Sequence, residues 1–235
     1  MKILILTTET PHHIFFLSEL LKVERNITVI SEKSQKRKKN FQSDFFLQRQ
    51  EFENQFWFKN THTSFSDFTF TKYVECINSD ESLNFLERNF FDLAICFGTK
   101  ILSDKIIKKL PTNLFNLHGG DPENYRGLDS HLWSMYHKDL DGFVTTLHHL
   151  TLRVDCGDIY CKKKIILSEI PNIFHFQIVN TQTCGKLSKE LIKDISLGKR
   201  IKKINQKSMG RYYSSIPSCL IEKCKRNFEL LKKND

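Results

Sequence analysis

No apolar run in this sequence approaches the length needed to cross a bilayer, and the opening MKILILTTETPHH carries no signal-peptide cleavage pattern. A cytoplasmic protein that engages no membrane is therefore expected. The 7 cysteines include no CxxC pair and no zinc-knuckle spacing. Their odd number and irregular separation argue for free thiols in a reducing compartment, against both a disulfide framework and a structural zinc. Glycine is missing from the loop after the first apolar run, where Thr8, Glu9, Thr10 and Pro11 stand. A dinucleotide fingerprint or a P-loop needs glycine there so that backbone can approach phosphate, so neither nicotinamide nor ATP binding is expected. Low-complexity linkers and internal repeats are also missing.

What is present describes a globular chain. Its 235 residues suit one ample domain, or one domain with a short appendage, and 40% hydrophobic against 27% charged residues excludes disorder. The 20 phenylalanines are core material, with some available to a contact surface. A formal charge of +9 favours an anionic partner, either nucleic acid or a phosphate- or carboxylate-bearing small molecule. The densest basic run, KSQKRKK at 33–39, has no interleaved aromatics and reads as an exposed loop or helix start, not an RNA-binding signature.

Periodicity predicts an α/β chain. Residues 2–7 and 27–30 read as buried strands around a helix that Pro11 opens and Thr10 caps, giving a βαβ start and a parallel sheet. A helix is predicted near 44–56 within an otherwise unreadable stretch at 33–70. Strands follow at 92–97, 114–117, 143–150 and 158–167. Ser103 caps a helix reaching about 110, another helix starts at Asp129 or Ser130, and 172–196 reads as helical. Beyond it lie a hairpin around Gly210 and a helix from about 218. The expected architecture is a Rossmann-like, mostly parallel sheet flanked by helices, with residues 1–197 as the catalytic domain and 198–235 as a short C-terminal hairpin and helix extension.

The chemistry concentrates in NLHGGDPENYRGLDSHLWSMYHKDLDGFVTTLHHLTLRVDCGD, residues 116–158. Alternate strand side chains share a face, so Asn116 and His118 point the same way. That sets a neutral hydrogen-bond donor beside a titratable imidazole, which suits a carbonyl that turns tetrahedral. Standing alone, Asn-x-His more often satisfies backbone at a strand end; the surrounding residues reverse those odds. In doubly wound sheets ligands gather at the carboxyl ends of the strands, where Gly98, Asn116, His118 and the Asp155 turn could all lie.

The order Asn116, His118, Tyr125-Arg126-Gly127, Thr146-Leu147-His148 and Asp155-Cys156-Gly157 resembles the folate-dependent formyltransferase family, as does the segment Phe97-Gly98-Thr99-Lys100-Ile101-Leu102. The likeness covers roughly 92–159. Two departures stand out: Gly119-Gly120-Asp121-Pro122 replaces the usual Ser-Leu-Leu-Pro, and Cys156 follows Asp155. The glycines and the tail segment Gly210-Arg211-Tyr212-Tyr213-Ser214 look most like the nucleotide-sugar N-formyltransferases. This resemblance implies formyl transfer from N10-formyltetrahydrofolate to the amine of a dTDP- or UDP-linked amino-deoxysugar. It implies Asn116 as oxyanion donor, His118 as base and Asp155 as the carboxylate that orients His118 and stabilises its charged form. Phe97, Gly98, Ile101, Leu102 and Val154 would bind the folate; Lys100, Tyr125, Arg126, Gly127 and Tyr213 would bind the nucleotide sugar, with Tyr212 an alternative stacking residue.

Other readings remain open from sequence alone. A metal held by His118, His148 and Asp155 would leave Asn116 without a role, and no metal is expected. A methionyl-tRNA formyltransferase fits the charge but lacks room for an RNA-binding domain after residue 196; a glycinamide ribonucleotide enzyme lacks phosphate-cradling glycines. A formyltetrahydrofolate hydrolase would bear a separate regulatory domain. A silent nucleic-acid-binding module rests on charge alone, and no nucleic-acid partner is expected. A homodimer is expected, with the aromatic tail as a candidate pairing surface, and His12-His13 is read as surface or substrate-loop chemistry without an assigned role.

Overall fold

The computed structural model describes residues 1–33 and 44–235. Its centre is a seven-stranded sheet built from β1 (Ile3–Thr8), β2 (Ile27–Glu32), β3 (Thr71–Val74), β4 (Leu93–Phe97), β5 (Leu114–His118), β7 (Val144–His149) and β8 (Ile159–Lys164). The order is β3-β2-β1-β4-β5-β7-β8. The pairings from β3 through β5 are parallel, and β7 and β8 add antiparallel to the end. Because β1 lies between β2 and β4, the strand order reverses there, which opens a crevice at the carboxyl ends of β1 and β4.

The near-continuous apolar strands have the expected cause: both faces are covered. Ile3 and Ile5 face α1 (Pro11–Leu20) and α6 (Ile173–Ser196), packing with Leu17, Leu20, Leu187 and Leu191. Leu4 and Leu6 face the other way, toward Leu86 of α3 (Asp80–Glu87) and Ile106 of α4 (Asp104–Ile107). A further apolar cluster joins Phe45 of α2 (Asp44–Phe58) to Leu132 and Met135 of α5 (Ser130–His137), Phe176 of α6 and Phe228 of α7 (Ile221–Lys232). Phe16, Phe65, Phe115, Phe143 and Phe228 are fully buried, so much of the phenylalanine is core.

The caps follow local chemistry. Asn172 accepts hydrogen bonds from the Phe174 and His175 N–H groups at the start of α6, and Ser103 accepts from Ile106 at α4. Thr10 occupies the cap position of α1 without capping it, since its hydroxyl turns toward the His12 ring. The helix at α4 ends at Ile107, shorter than predicted. Strand β3 and helix α3, which the sequence pattern did not reveal, complete the β2 side of the sheet.

The tail differs from the expected hairpin. Strand β9 (Arg211–Tyr213) pairs in parallel with β6 (Tyr125–Gly127), in register Tyr125 to Arg211. Gly210 makes no turn. Its N–H donates to the Pro122 carbonyl, and a Cβ there would come within 2.5 Å of the Asn124 backbone, so the missing side chain allows two backbones to meet. A 3-10 turn at Ser218–Leu220 then leads into α7, which packs on α5. The ring of Tyr213 stacks on Tyr125 of its own chain, engaging the tail aromatics internally. The basic run at 33–39 lies outside the described residues except for Lys33, which pairs with Glu75. No helix among the described residues is long and apolar enough to cross a membrane.

Candidate active site

Strand β5 carries Asn116 and His118 to the carboxyl edge of the sheet, and the turn before β8 brings Asp155 to meet them. The Asn116 amide donates to Asp155 Oδ1 at 3.2 Å, and His118 Nδ1 lies 3.5 Å from Asp155 Oδ2. His148 of β7, directly opposite Asn116 in the antiparallel register, places its Nε2 3.3 Å from Asp155 Oδ1 and 3.2 Å from the Asn116 amide nitrogen. The Gly127 N–H donates to Asp155 Oδ2 at 2.8 Å. One carboxylate therefore gathers an amide, two imidazoles and a backbone donor.

Partners fix the tautomers. His118 Nε2 lies 2.8 Å from the Tyr125 carbonyl, which can only accept, so Nε2 bears the hydrogen and the neutral ring keeps its lone pair on Nδ1, facing Asp155. A proton taken at Nδ1 would sit between imidazole and carboxylate. His148 Nδ1 is likewise held by the His149 carbonyl at 2.8 Å, leaving Nε2 to accept from Asn116 when the ring is neutral. A charged His148 instead donates to Asp155 and frees one Asn116 hydrogen. Burial alone would raise the Asp155 carboxyl. The charge on His118, the hydrogen bond and charge of His148, and the Gly127 N–H outweigh it and hold the group well below the usual carboxylate range.

The turn is tightly constrained. Asp155 has φ 52°, a left-handed conformation that aspartate tolerates better than most residues. Gly157 allows no side chain, since a Cβ would lie 1.7 Å from the His149 carbonyl oxygen. Gln206 of the tail donates to the Asp155 and Gly157 carbonyls at 2.9 and 2.8 Å. Arg126 donates to the Gly210 and Val154 carbonyls at 2.7 and 3.2 Å and to Cys156 Sγ at 3.0 Å.

These groups border a cavity of about 940 Å³. Phe97, Gly98, Lys100, Ile101, Leu102, Asn116, His118, Gly127, Val154 and Asp155 all line it. Tyr125, Arg126 and Tyr213 are not among the lining residues. Tyr125 bonds Asp139 through its hydroxyl, Arg126 is occupied by the turn, and Tyr213 packs on Tyr125 and Trp133. Tyr212, half exposed, lines the cavity instead. Lys100 is paired with buried Glu32 at 2.9 Å. Asn78, which sequence gave no reason to select, accepts from the Ser103 N–H and donates to the Ile101 carbonyl, shaping the wall at 101–103.

His12 and His13 are buried in the cavity wall and not on the surface. His12 meets Glu53 of α2 at 2.8 Å, a partner 41 residues away that no local pattern announces. Burial, reinforced by the charge of His12, pushes the His13 pKa well below its ordinary value despite its bond to the Thr8 carbonyl. Gly98, at φ 72°, leaves room for that ring, because a Cβ would approach it to 2.5 Å.

No protein-family model matches the sequence. The architecture, however, is the formyltransferase fold, a mostly parallel sheet between helices. An N-formyltransferase from Helicobacter canadensis, in complex with folinic acid and dTDP-3-aminofucose, matches with a TM-score of 0.60 over 91% of this chain and 71% of its own, at 15% identity. A formyltransferase from Anoxybacillus kamchatkensis, bound to UDP-4,6-dideoxy-4-formamido-L-AltNAc and tetrahydrofolate, matches with a TM-score of 0.53 over 91% and 86%, at 21% identity. HypX from Aquifex aeolicus, in complex with tetrahydrofolate, matches with a TM-score of 0.55 over 91% of this chain and 29% of its own, at 16% identity. At these identities the likeness is one of fold.

Proposed function

We propose that this protein transfers the formyl group of N10-formyltetrahydrofolate to the amine of a dTDP- or UDP-linked amino-deoxysugar. The observation that carries the reading is the Asp155 carboxylate joining Asn116, His118 and the Gly127 N–H at the edge of one cavity. Structures with this fold hold folates, two of them beside different nucleotide sugars, which supports a folate as the formyl donor and leaves the acceptor to be read from the site.

In this reading His118 takes the proton from the attacking amine, and Asp155 stabilises the imidazolium that results. Asn116 turns an amide hydrogen to the formyl oxygen as charge builds there. Because both its hydrogens lie toward Asp155 and His148, protonation of His148 would release one for that purpose. The apolar wall of Ile101, Leu102 and Val154, with Phe97 at its edge, suits a flat pterin ring. Residues 1–197 would supply this chemistry, with 198–235 closing the catalytic turn through Gln206.

The test is incubation with N10-formyltetrahydrofolate and a panel of dTDP- and UDP-linked 3-amino- and 4-amino-deoxysugars. Mass spectrometry is expected to find one product heavier by a formyl group. Consumption of the folate with no formylated sugar would reject the acceptor.

A further inference from the structure

Two buried polar side chains in the cavity wall have bonding capacity that the site described above does not use. His131 stands in the first turn of α5 and Asn180 lies on α6; they are 8% and 4% exposed, and both line the cavity. His131 Nε2 lies 2.8 Å from the Val144 carbonyl, so it carries the hydrogen and Nδ1 is an acceptor. Burial, with the His118 charge adding to it, lowers the ring's pKa to about 3 against the opposing Val144 bond. The imidazole stays neutral and Nδ1 stays a lone pair. Asn180 Oδ1 accepts from Thr145 at 2.7 Å, which orients the amide and leaves Nδ2 as a donor. Among the described residues neither His131 Nδ1 nor Asn180 Nδ2 has a partner.

Both atoms flank Gly119, the residue after His118. A Cβ at Gly119 would lie 3.1 Å from His131 Nδ1 and 3.7 Å from Asn180 Nδ2. The missing side chain lets the imidazole pack against this turn, so both atoms line the cavity one residue from His118. Leu102 and Leu150 pack with the helices on one face of the sheet, whereas α6 covers the other, so this wall lies across the sheet edge from the one suited to a pterin.

An open acceptor and an open donor about the same glycine suit a hydroxyl. A hydroxyl donates to Nδ1 and accepts from Nδ2 at once, whereas an ammonium serves only the imidazole and a carbonyl only the amide. Around the pair the wall is apolar, formed by Phe45, Leu132, Met135, Ile173 and Phe176, which suits a sugar face lacking other hydroxyls. We propose that His131 and Asn180 form a hydroxyl-reading subsite that selects the acceptor by one ring hydroxyl neighbouring the amine. This rests on the amino-sugar reading above and narrows it.

The experiment measures binding without turnover. Isothermal titration compares dTDP- and UDP-linked 3-amino- and 4-amino-deoxyhexoses with analogues in which the hydroxyl beside the amine is replaced by hydrogen. Loss of that hydroxyl is expected to weaken binding to the wild-type protein by about tenfold or more, since a buried donor and acceptor are left open. Asn180→Ala and His131→Phe should weaken the hydroxylated sugar by a similar factor and leave the deoxy analogue unchanged. The wild-type comparison stands even where a variant does not fold. Equal binding of both sugars to the wild-type protein overturns the subsite and leaves the amino-sugar reading intact. No binding of any nucleotide amino sugar overturns that reading and the subsite with it.

Discussion

Asp155 is the residue on which the site converges, and its substitution should separate charge from shape. Its folded pKa is depressed, so it contributes stability that is present above the unfolded value of about 3.9 and is lost as pH falls through and below that value toward the folded one. The melting temperature of Asp155→Asn is therefore expected to trail the wild type most near neutral pH, with the gap narrowing below about pH 4. A gap that widens in acid would contradict the sign. Turnover should respond more steeply. Asn116→Ala is expected to lower kcat by about 10²–10³ and His118→Ala by about 10²–10⁴, measured as formylated product under saturating substrates. Retention of near-normal kcat by both variants would remove them from the reaction.

At the scale of elements, the Asp155 turn is held by the tail. Gln206 bridges the Asp155 and Gly157 carbonyls, Ile204 exchanges backbone bonds with Ile159, and Arg126 ties the turn to Gly210. Gln206→Met keeps the side chain's length and removes both donors. Misplacing a reacting group by about 1 Å can cost about 10² in rate, so kcat is expected to fall well beyond any loss of folded protein, while the acceptor KM changes little. An unchanged kcat would make the strap dispensable. This element also shows what the sequence conveyed and what it withheld. Strand β5 was legible because its apolar run and the two-residue spacing of Asn116 and His118 are local, and Asp155 was legible through the motif order around it. The β6–β9 pairing was not, because a three-residue parallel bridge between segments more than 80 positions apart leaves no periodic trace, and Gly210 resembles a turn glycine in either case. The same holds for His12 with Glu53 and for Asn78 with the 101–103 wall: each partner is supplied by the packing of elements whose neighbours only the topology decides. Arg126 shows the same limit, since the Val154 and Gly210 carbonyls it binds lie 28 and 84 residues away in the chain.

The whole molecule sets two walls across one sheet edge. The switch in strand order at β1 opens the crevice, α3 and α4 cover one face of the sheet and α1 and α6 the other, and the Asp155 cluster lies where β5 and β7 meet at the crevice rim. A ligand that fills only one wall should then bind without the other. Folinic acid, which the Helicobacter canadensis enzyme holds, carries a pterin and no sugar, and anything that binds the folded chain alone stabilises it by mass action. At 100 times its dissociation constant it should add about 2.7 kcal/mol. For a chain of this length about 1 kcal/mol moves the melting temperature by about 2–4 °C, so a rise of about 5–10 °C is expected without any nucleotide sugar present. Asn180→Ala, on the opposite wall, should show the same rise as the wild type. Replacing Val154 with a charged residue should abolish it, and folinic acid that shifts neither protein would place the folate elsewhere or nowhere on this fold.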